Sequence, residues 1–219
     1  MKRLTTRLGI CLSLGGMAIC SVVSMGCDQG LAEPYMPLEE STGTLSIEEI
    51  PIGGSEVFVN LGDRSLGFSS APTAVVIRVS SSGGYAAPSE VPTYQVFGDG
   101  RVEKRYRGRD PETVAQLGTV GVAGLLELAV EGGLMEWDQE DVESRVFNAI
   151  GGRYSNPDAS TQKIEIFLTF YRDVEGTESR PTSRVIESYD TVTRSEIAPD
   201  IPELQAAWGI YRALMEAGQ

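Results

Sequence analysis

The run K-I-E-I-F-L-T-F-Y, residues 163–171, constrains the fold more than any other stretch. Ile164, Ile166, Leu168 and Phe170 alternate with Lys163, Glu165, Phe167, Thr169 and Tyr171. Apolar residues at period two put one face of an extended strand on a core. After the polar stretch D-V-E-G-T-E-S-R-P-T, residues 183–189 (S-R-V-I-E-S-Y) supply its hairpin partner. A second hairpin is written in P-T-Y-Q-V-F-G-D-G-R-V-E-K-R-Y, where two strand-like runs flank Gly98-Asp99-Gly100. A two-residue loop would set Val96 opposite Glu103. A three-residue loop with Gly100 left-handed sets Val96 opposite Val102 and gathers Tyr94 and Tyr106 on one face, so that register is expected. Lys104 then joins the same face near an edge, with its stem along apolar surface.

Further strands are expected at 56–60 and 73–80, with a weak one at 146–150. In residues 73–80, Val75, Ile77 and Val79 share one face while Ala74 and Val76 take the other, as in a central strand covered on both sides. Asp110-Pro111-Glu112 has the cap, proline and acid of a helix start. Val114, Leu117, Gly121, Leu125 and Leu128 would form its apolar face, with Thr113, Gln116, Ala123 and Glu127 opposite. Gly132-Gly133 would end it, with Leu134 packing back on the cap. Gly118, Gly121 and Gly124 lack the spacing and the preceding strand of a nucleotide fingerprint. They read as small residues that let the helix lie close to a sheet. Asp200-Ile201-Pro202 leads into a last helix with Leu204, Trp208, Tyr211, Leu214 and Met215 on its apolar face, ending at Gly218. Hairpins without βαβ crossovers imply an α+β fold, an antiparallel sheet of hairpins with two helices packed on one face. One such domain is expected over residues 51–219.

The N-terminus differs in character. Lys2, Arg3 and Arg7 precede 19 uncharged residues, Leu8 to Gly26, and small residues flank the bond before Cys27. That is the pattern of a secretory signal over residues 1–26. The cysteines are Cys11, Cys20 and Cys27, and none follows in the remaining 192 residues, so no disulfide scaffold is available beyond the signal. Ser24-Met25-Gly26-Cys27 resembles the lipobox of bacterial lipoproteins. It departs from the usual pattern in having Ser24 for Leu and the bulky Met25. The resemblance implies cleavage before Cys27, lipidation of its sulfur by acyl chains such as palmitate, and anchoring in the cell-envelope membrane. Asp28 resembles the inner-membrane retention signal of some such proteins, and the leaflet is left open. Ordinary cleavage at the same bond, or an uncleaved span over residues 8–26, are the alternatives. Residues 27–50 read as lipid anchor and acidic tether, with two prolines and no sustained periodicity. The D-G-R hairpin followed by a helix ending in G-L is similar to domains of uncharacterised bacterial lipoproteins, a likeness that brings no function with it.

Composition excludes several chemistries. The chain has no His, and its only lysines beyond the signal are Lys104 and Lys163. An imidazole base, a His metal ligand and a Ser-His or Cys-His pair are therefore impossible. Residues 1–26 hold three of the 18 Lys+Arg and none of the 31 Asp+Glu, which leaves 15 against 31, a net charge of −16. Such acidity opposes nucleic-acid binding, and anionic lipid as a direct ligand. The acids Glu136, Asp138, Glu140, Asp141 and Glu143 suggest calcium, but counting from Asp138 places Glu143 at the sixth position and Ala149 at the twelfth, which is not an EF-hand. Asn156 and Asp158 offer a looser site, and a solvated acidic loop over 135–146 is the plainer reading. Lys104 and Lys163, the only lysines a Ser-Lys dyad could use, both lie on expected strands, and 31 acids make any carboxylate pair uninformative. Phe167 and Tyr171, beside Arg172, are either a binding surface or a face covered by a second layer, such as the C-terminal helix, and the covered face is favoured. The expected function is an exported, membrane-anchored lipoprotein without catalysis, a binding module with an envelope protein as its possible partner. No nucleic acid, no cofactor and no catalytic residue is expected, and the question of a metal stays open. A carboxylate-based envelope hydrolase and a Ca²⁺-stabilised structural domain are the alternatives.

Overall fold

The computed structural model describes residues 56–84, 86 and 91–219, and the backbone of residues 12–14, 17–19 and 46–50. The chain divides into two compact units, Met1–Thr42 and Gly43–Gln219. In the first, strands β1 (Leu12–Leu14) and β2 (Met17–Ile19) pair antiparallel. The cleavage point expected from the sequence and Cys27 lie outside the described residues. Among the described residues no helix is long and apolar enough to cross a membrane.

The second unit is α+β with antiparallel sheets, as the hairpin signals imply. Its strands are β3 (Ser46–Ile50), β4 (Glu56–Leu61), β5 (Arg64–Ser69), β6 (Val75–Gly83), β7 (Thr93–Phe97), β8 (Arg101–Arg105) and β9 (Glu112–Gln116). After helix α1 (Gly118–Glu131), a 3-10 turn (Leu134–Glu136) and α2 (Gln139–Ile150) come β10 (Ser160–Leu168), β11 (Phe170–Arg172), β12 (Glu178–Ser179) and β13 (Thr182–Tyr189). Helices α3 (Thr191–Ile197) and α4 (Pro202–Ala217) close the chain. Two sheets form, a six-stranded one ordered β13-β10-β6-β7-β8-β9 and a five-stranded one ordered β12-β11-β5-β4-β3. Residues 46–50, the end of the stretch read as a tether, pair with β4 as an edge strand.

The β7–β8 hairpin has the expected register, and β13 pairs with β10 as expected. Val96 faces Val102, and Gly100 has φ +85°. Ile164 faces Ile186, and both are buried. Lys104 Nζ lies 6.0 Å and 5.5 Å from the ring centroids of Tyr94 and Tyr106, as the register required. β6 is central, between β10 and β7, but only one of its faces is roofed. A register shift between Val75 and Ile77 turns both Val76 and Ile77 inward, and Arg78 on the outer face bonds Glu165 at 3.3 Å. The main core joins the inner faces of both sheets to α1 and α4. A satellite core of Val142, Val146, Ala198, Ile201 and Leu204 seats α2 and α3.

Four expectations are corrected. Residues 112–116 are strand β9, not the first turns of a helix, because pairing with β8 and the Leu117 N–H to Gly100 O bond (2.8 Å) outweigh the Asp-Pro-Glu cap. The helix starts at Gly118, whose backbone comes within 2.2 Å of where a Cβ on Gly100 would stand. Its face is reset in consequence: Ala123 is fully buried, while Leu128 is 36% exposed. The three glycines at 118, 121 and 124 meet no sheet residue. The close approach is instead between helices, at Gly132, where a Cβ would stand 2.2 Å from Ala206 Cβ. Residues 139–150 form α2 rather than a loop and a strand. Asp138 caps it by accepting from the Glu140 and Asp141 N–H groups at 2.9 and 3.1 Å. The run 163–171 is broken at Thr169, whose N–H donates to Gly67 O at 2.9 Å, so β10 and β11 enter different sheets. Helix α3 had no expectation.

Candidate functional site at the polar end of the six-stranded sheet

The antiparallel register gathers four polar runs that lie far apart in sequence. The C-terminal end of β6 meets the N-terminal end of β10, with Gly83 opposite Ser160. Thr161 in turn faces Tyr189 at the end of β13, and Thr93 faces Arg105 where β7 begins and β8 ends. S-S-S-G-G, R-Y-R-G-R, Y-S-N-P-D and S-Y-D-T therefore share one end of the sheet. Two clefts open there.

The first cleft, about 380 Å³, is lined by Ser81, Ser82, Thr93, Arg105, Tyr106 and Arg107 among others. Arg105 and Arg107 are exposed, and their side chains make no ion pair or hydrogen bond among the described residues. Ser81 Oγ is buried without a hydrogen-bond partner. The Tyr106 ring lies between cations, with Lys104 Nζ and the Arg109 guanidinium each 5.5 Å from its centroid.

The second cleft, about 290 Å³, runs between the C-terminal half of α2 and the segment 152–155. Val146, Phe147 and Ile150 give it an apolar wall, and Arg153, Tyr154, Tyr189 and Arg194 its polar side. Arg194 is only 2% exposed. Its Nη1 and Nη2 donate to the two carboxylate oxygens of Glu143 at 2.9 and 2.7 Å, and Nη1 also to Tyr189 O at 3.1 Å. A fork on a carboxylate is the strongest arrangement open to arginine. Beside it, Asp190 turns the chain from β13 into α3 with φ +44°, a left-handed conformation that a short hydrogen-bonding side chain supports. Asp190 Oδ2 accepts from Tyr154 Oη and from Asn156 Nδ2 (2.9 Å), and Oδ1 accepts from Thr193 Oγ1 at 3.0 Å. Burial opposes ionisation of this carboxyl, but the hydrogen bonds from Tyr154, Asn156 and Thr193 outweigh it and hold its pKa below the ordinary value. Burial, and then the bond to Asp190, raise the pKa of the Tyr154 phenol.

Two carboxylates at this end, those of Asp190 and Glu143, are thus occupied. Asp190 accepts from three side chains, and Glu143 is held by Arg194 and by Gln139 Nε2 at 2.8 Å. Free positive charge lies on the same end: Arg105, Arg107, Arg109 and Arg153 are the arginines of the described residues whose side chains make neither ion pair nor hydrogen bond. Guanidiniums so placed keep their hydrogen-bond donors available.

The acids singled out from sequence do separate jobs. Asp138 caps α2, and Asp141 pairs with Arg145 at 2.8 Å. Glu136 accepts from Tyr171 Oη at 2.5 Å and lies 3.7 Å from Arg64 Nε, Glu143 anchors Arg194, and Glu140 is exposed. Asn156 and Asp158 form a local turn in which Asn156 Oδ1 accepts the Asp158 N–H at 3.2 Å. Among the described residues no group of three or more Asp, Glu, Cys or His could hold a metal ion. Lys163 pairs with Glu165 at 3.3 Å, and Lys104 Nζ donates to Gly218 O at 3.4 Å. Tyr171 is buried and bonded to Glu136 beside the 3-10 turn rather than covered by the C-terminal helix. Phe167 stays on the outer face under the Arg78 guanidinium, 5.5 Å away, and Arg172 pairs with Glu178 at 2.5 Å. Arg105, Arg107 and Asp190 were missed in the sequence. The density of arginine in R-V-E-K-R-Y-R-G-R, within so acidic a chain, was the available signal. Comparison with protein-family models, curated proteins and solved structures found no match.

Proposed function

We propose that the chain is an exported lipoprotein, cut before Cys27 and lipidated on its sulfur, that serves as a non-catalytic binding module at the bacterial cell envelope. The polar end of the six-stranded sheet is its binding surface. The observation that carries this reading is the division of charge there. The carboxylates Asp190 and Glu143 are saturated by internal donors, while four arginines are left free. Saturated acids cannot take a proton from a substrate without dismantling the turn and the helix they hold, whereas free guanidiniums remain available to a ligand. The basic start, the uncharged segment and S-M-G-C support the anchoring. The absence of cysteine after residue 27 leaves that thiol without an intramolecular partner, which suits acylation.

The test is the intact mass of the protein from the native membrane fraction, beside Cys27→Ser. A chain that begins at Cys27 with added acyl mass, absent in the variant, is the expected result. An unacylated soluble chain beginning at Cys27 would mean plain export, and retention of residues 1–26 would mean an uncleaved anchor.

A further inference from the structure

We propose that the cleft between the end of β6 and the β8–β9 turn is a binding site for a phosphate group, carried by a small polar molecule or by a lipid headgroup. The inference rests on reading this end of the sheet as the binding surface. Three independent features converge on one cavity. Arg105 and Arg107 both line it, and neither guanidinium is spent on a protein carboxylate. Ser82 and Thr93 bring hydroxyls from two neighbouring strands to the same walls. Ser81 also lines the cleft, and its buried Oγ has no partner, a deficit that native interiors rarely leave. A bound oxyanion supplies an acceptor for the two guanidiniums and for the Ser82 and Thr93 hydroxyls.

The chemistry favours phosphate over carboxylate. Two forks and several hydroxyls offer donors in more directions than a planar, two-oxygen group can use, and a tetrahedral group with three free oxygens meets more of them. The volume, about 380 Å³, exceeds what one phosphate fills and leaves room for a glycerol- or sugar-sized remainder. The rim is held in place without using these donors: Lys104 and Arg109 flank the Tyr106 ring, and the Arg109 N–H closes the turn on Tyr106 O at 3.1 Å. The rest of the domain is strongly acidic, so the site must work through short-range hydrogen bonds rather than long-range attraction.

The experiment follows the backbone amides of Ser82, Gly83 and Gly108 by NMR in the full chain. Inorganic phosphate and glycerol phosphate are titrated at constant ionic strength in chloride. A parallel arm places the chain in phosphatidylcholine nanodiscs with or without phosphatidylglycerol. Saturable shifts confined to the cleft are expected, and the double variant Arg105→Gln/Arg107→Gln should weaken them at least about tenfold. Arg172→Gln/Arg180→Gln, which removes the same two positive charges beside the other sheet, should leave them unchanged. Shifts with the soluble phosphates assign a free ligand, and shifts only with phosphatidylglycerol assign a headgroup. Cleft amides that stay still in both arms, or shifts that survive the double variant, overturn the proposal. An inert cleft beside an acylated Cys27 would leave the anchoring intact, and phosphate binding by an unacylated chain would do the reverse.

Discussion

Asp190 shows how much one side chain decides. It sits at φ +44°, ends β13, starts α3 and accepts from Tyr154, Asn156 and Thr193. Because these bonds depress its folded-state pKa, its contribution to stability is fully present above the ordinary aspartate value of 3.8. That contribution is lost as pH falls through the depressed value. Asp190→Asn should therefore lower stability at neutral pH and flatten the acid limb of the denaturation profile, as read by urea unfolding at a series of pH values. A wild-type slope kept in the variant would assign the acid limb to other carboxylates. Gly132 decides a packing distance instead. A Cβ there would stand 2.2 Å from Ala206 Cβ, so Gly132→Ala must push α1 from α4. The expected cost is about 1–3 kcal/mol in unfolding free energy, with Ala206→Gly in the same chain restoring part of it.

At the scale of elements, strands with one buried face, the last helix and the end of α1 were legible, and the starts of α1 and α2 were not. Period two is a local property, and the β7–β8 register follows from it together with the turn residues. The stretch 110–117 shows the limit. Asp110-Pro111-Glu112 has a helix start's chemistry, yet the open edge of β8 offers ladder bonds to the β-branched pair Thr113-Val114, and the edge wins. The apolar period read across both parts then misassigned the face of α1, because the residues before Gly118 are not helical. In α2 the acids that resembled a solvated loop are a cap and a first turn, placed where a helix N-terminus favours negative charge. Asp138→Ala should destabilise the domain by about 1 kcal/mol, with Asp138→Ser recovering most of the loss in thermal unfolding. No recovery with serine would show that the carboxylate acts otherwise than as a cap.

Over the whole molecule the main core joins both sheets to α1 and α4, and α2 and α3 rest on a smaller one. Ile166→Ala, at a fully buried position of β10, should cost about 2–5 kcal/mol and unfold both sheets in one transition. Distinct melting of the five-stranded sheet would contradict that cooperativity. Because the acids of 136–143 are divided among a cap, an ion pair, a tyrosine and a buried arginine, chelator or added calcium should leave the melting temperature unchanged. A rise with calcium would restore the metal-stabilised alternative. By itself the sequence determined the inner face of β10, the β7–β8 register, the last helix and the chemistries that a chain without histidine cannot perform, because each depends on residues close in the chain or on composition alone. Only the tertiary structure decided that one alternating run serves two sheets, that 112–116 is an edge strand, and that Arg105, Arg107, Arg153 and Asp190 meet at one end. Those outcomes depend on pairing with other strands, where the competition is between whole arrangements rather than local preferences.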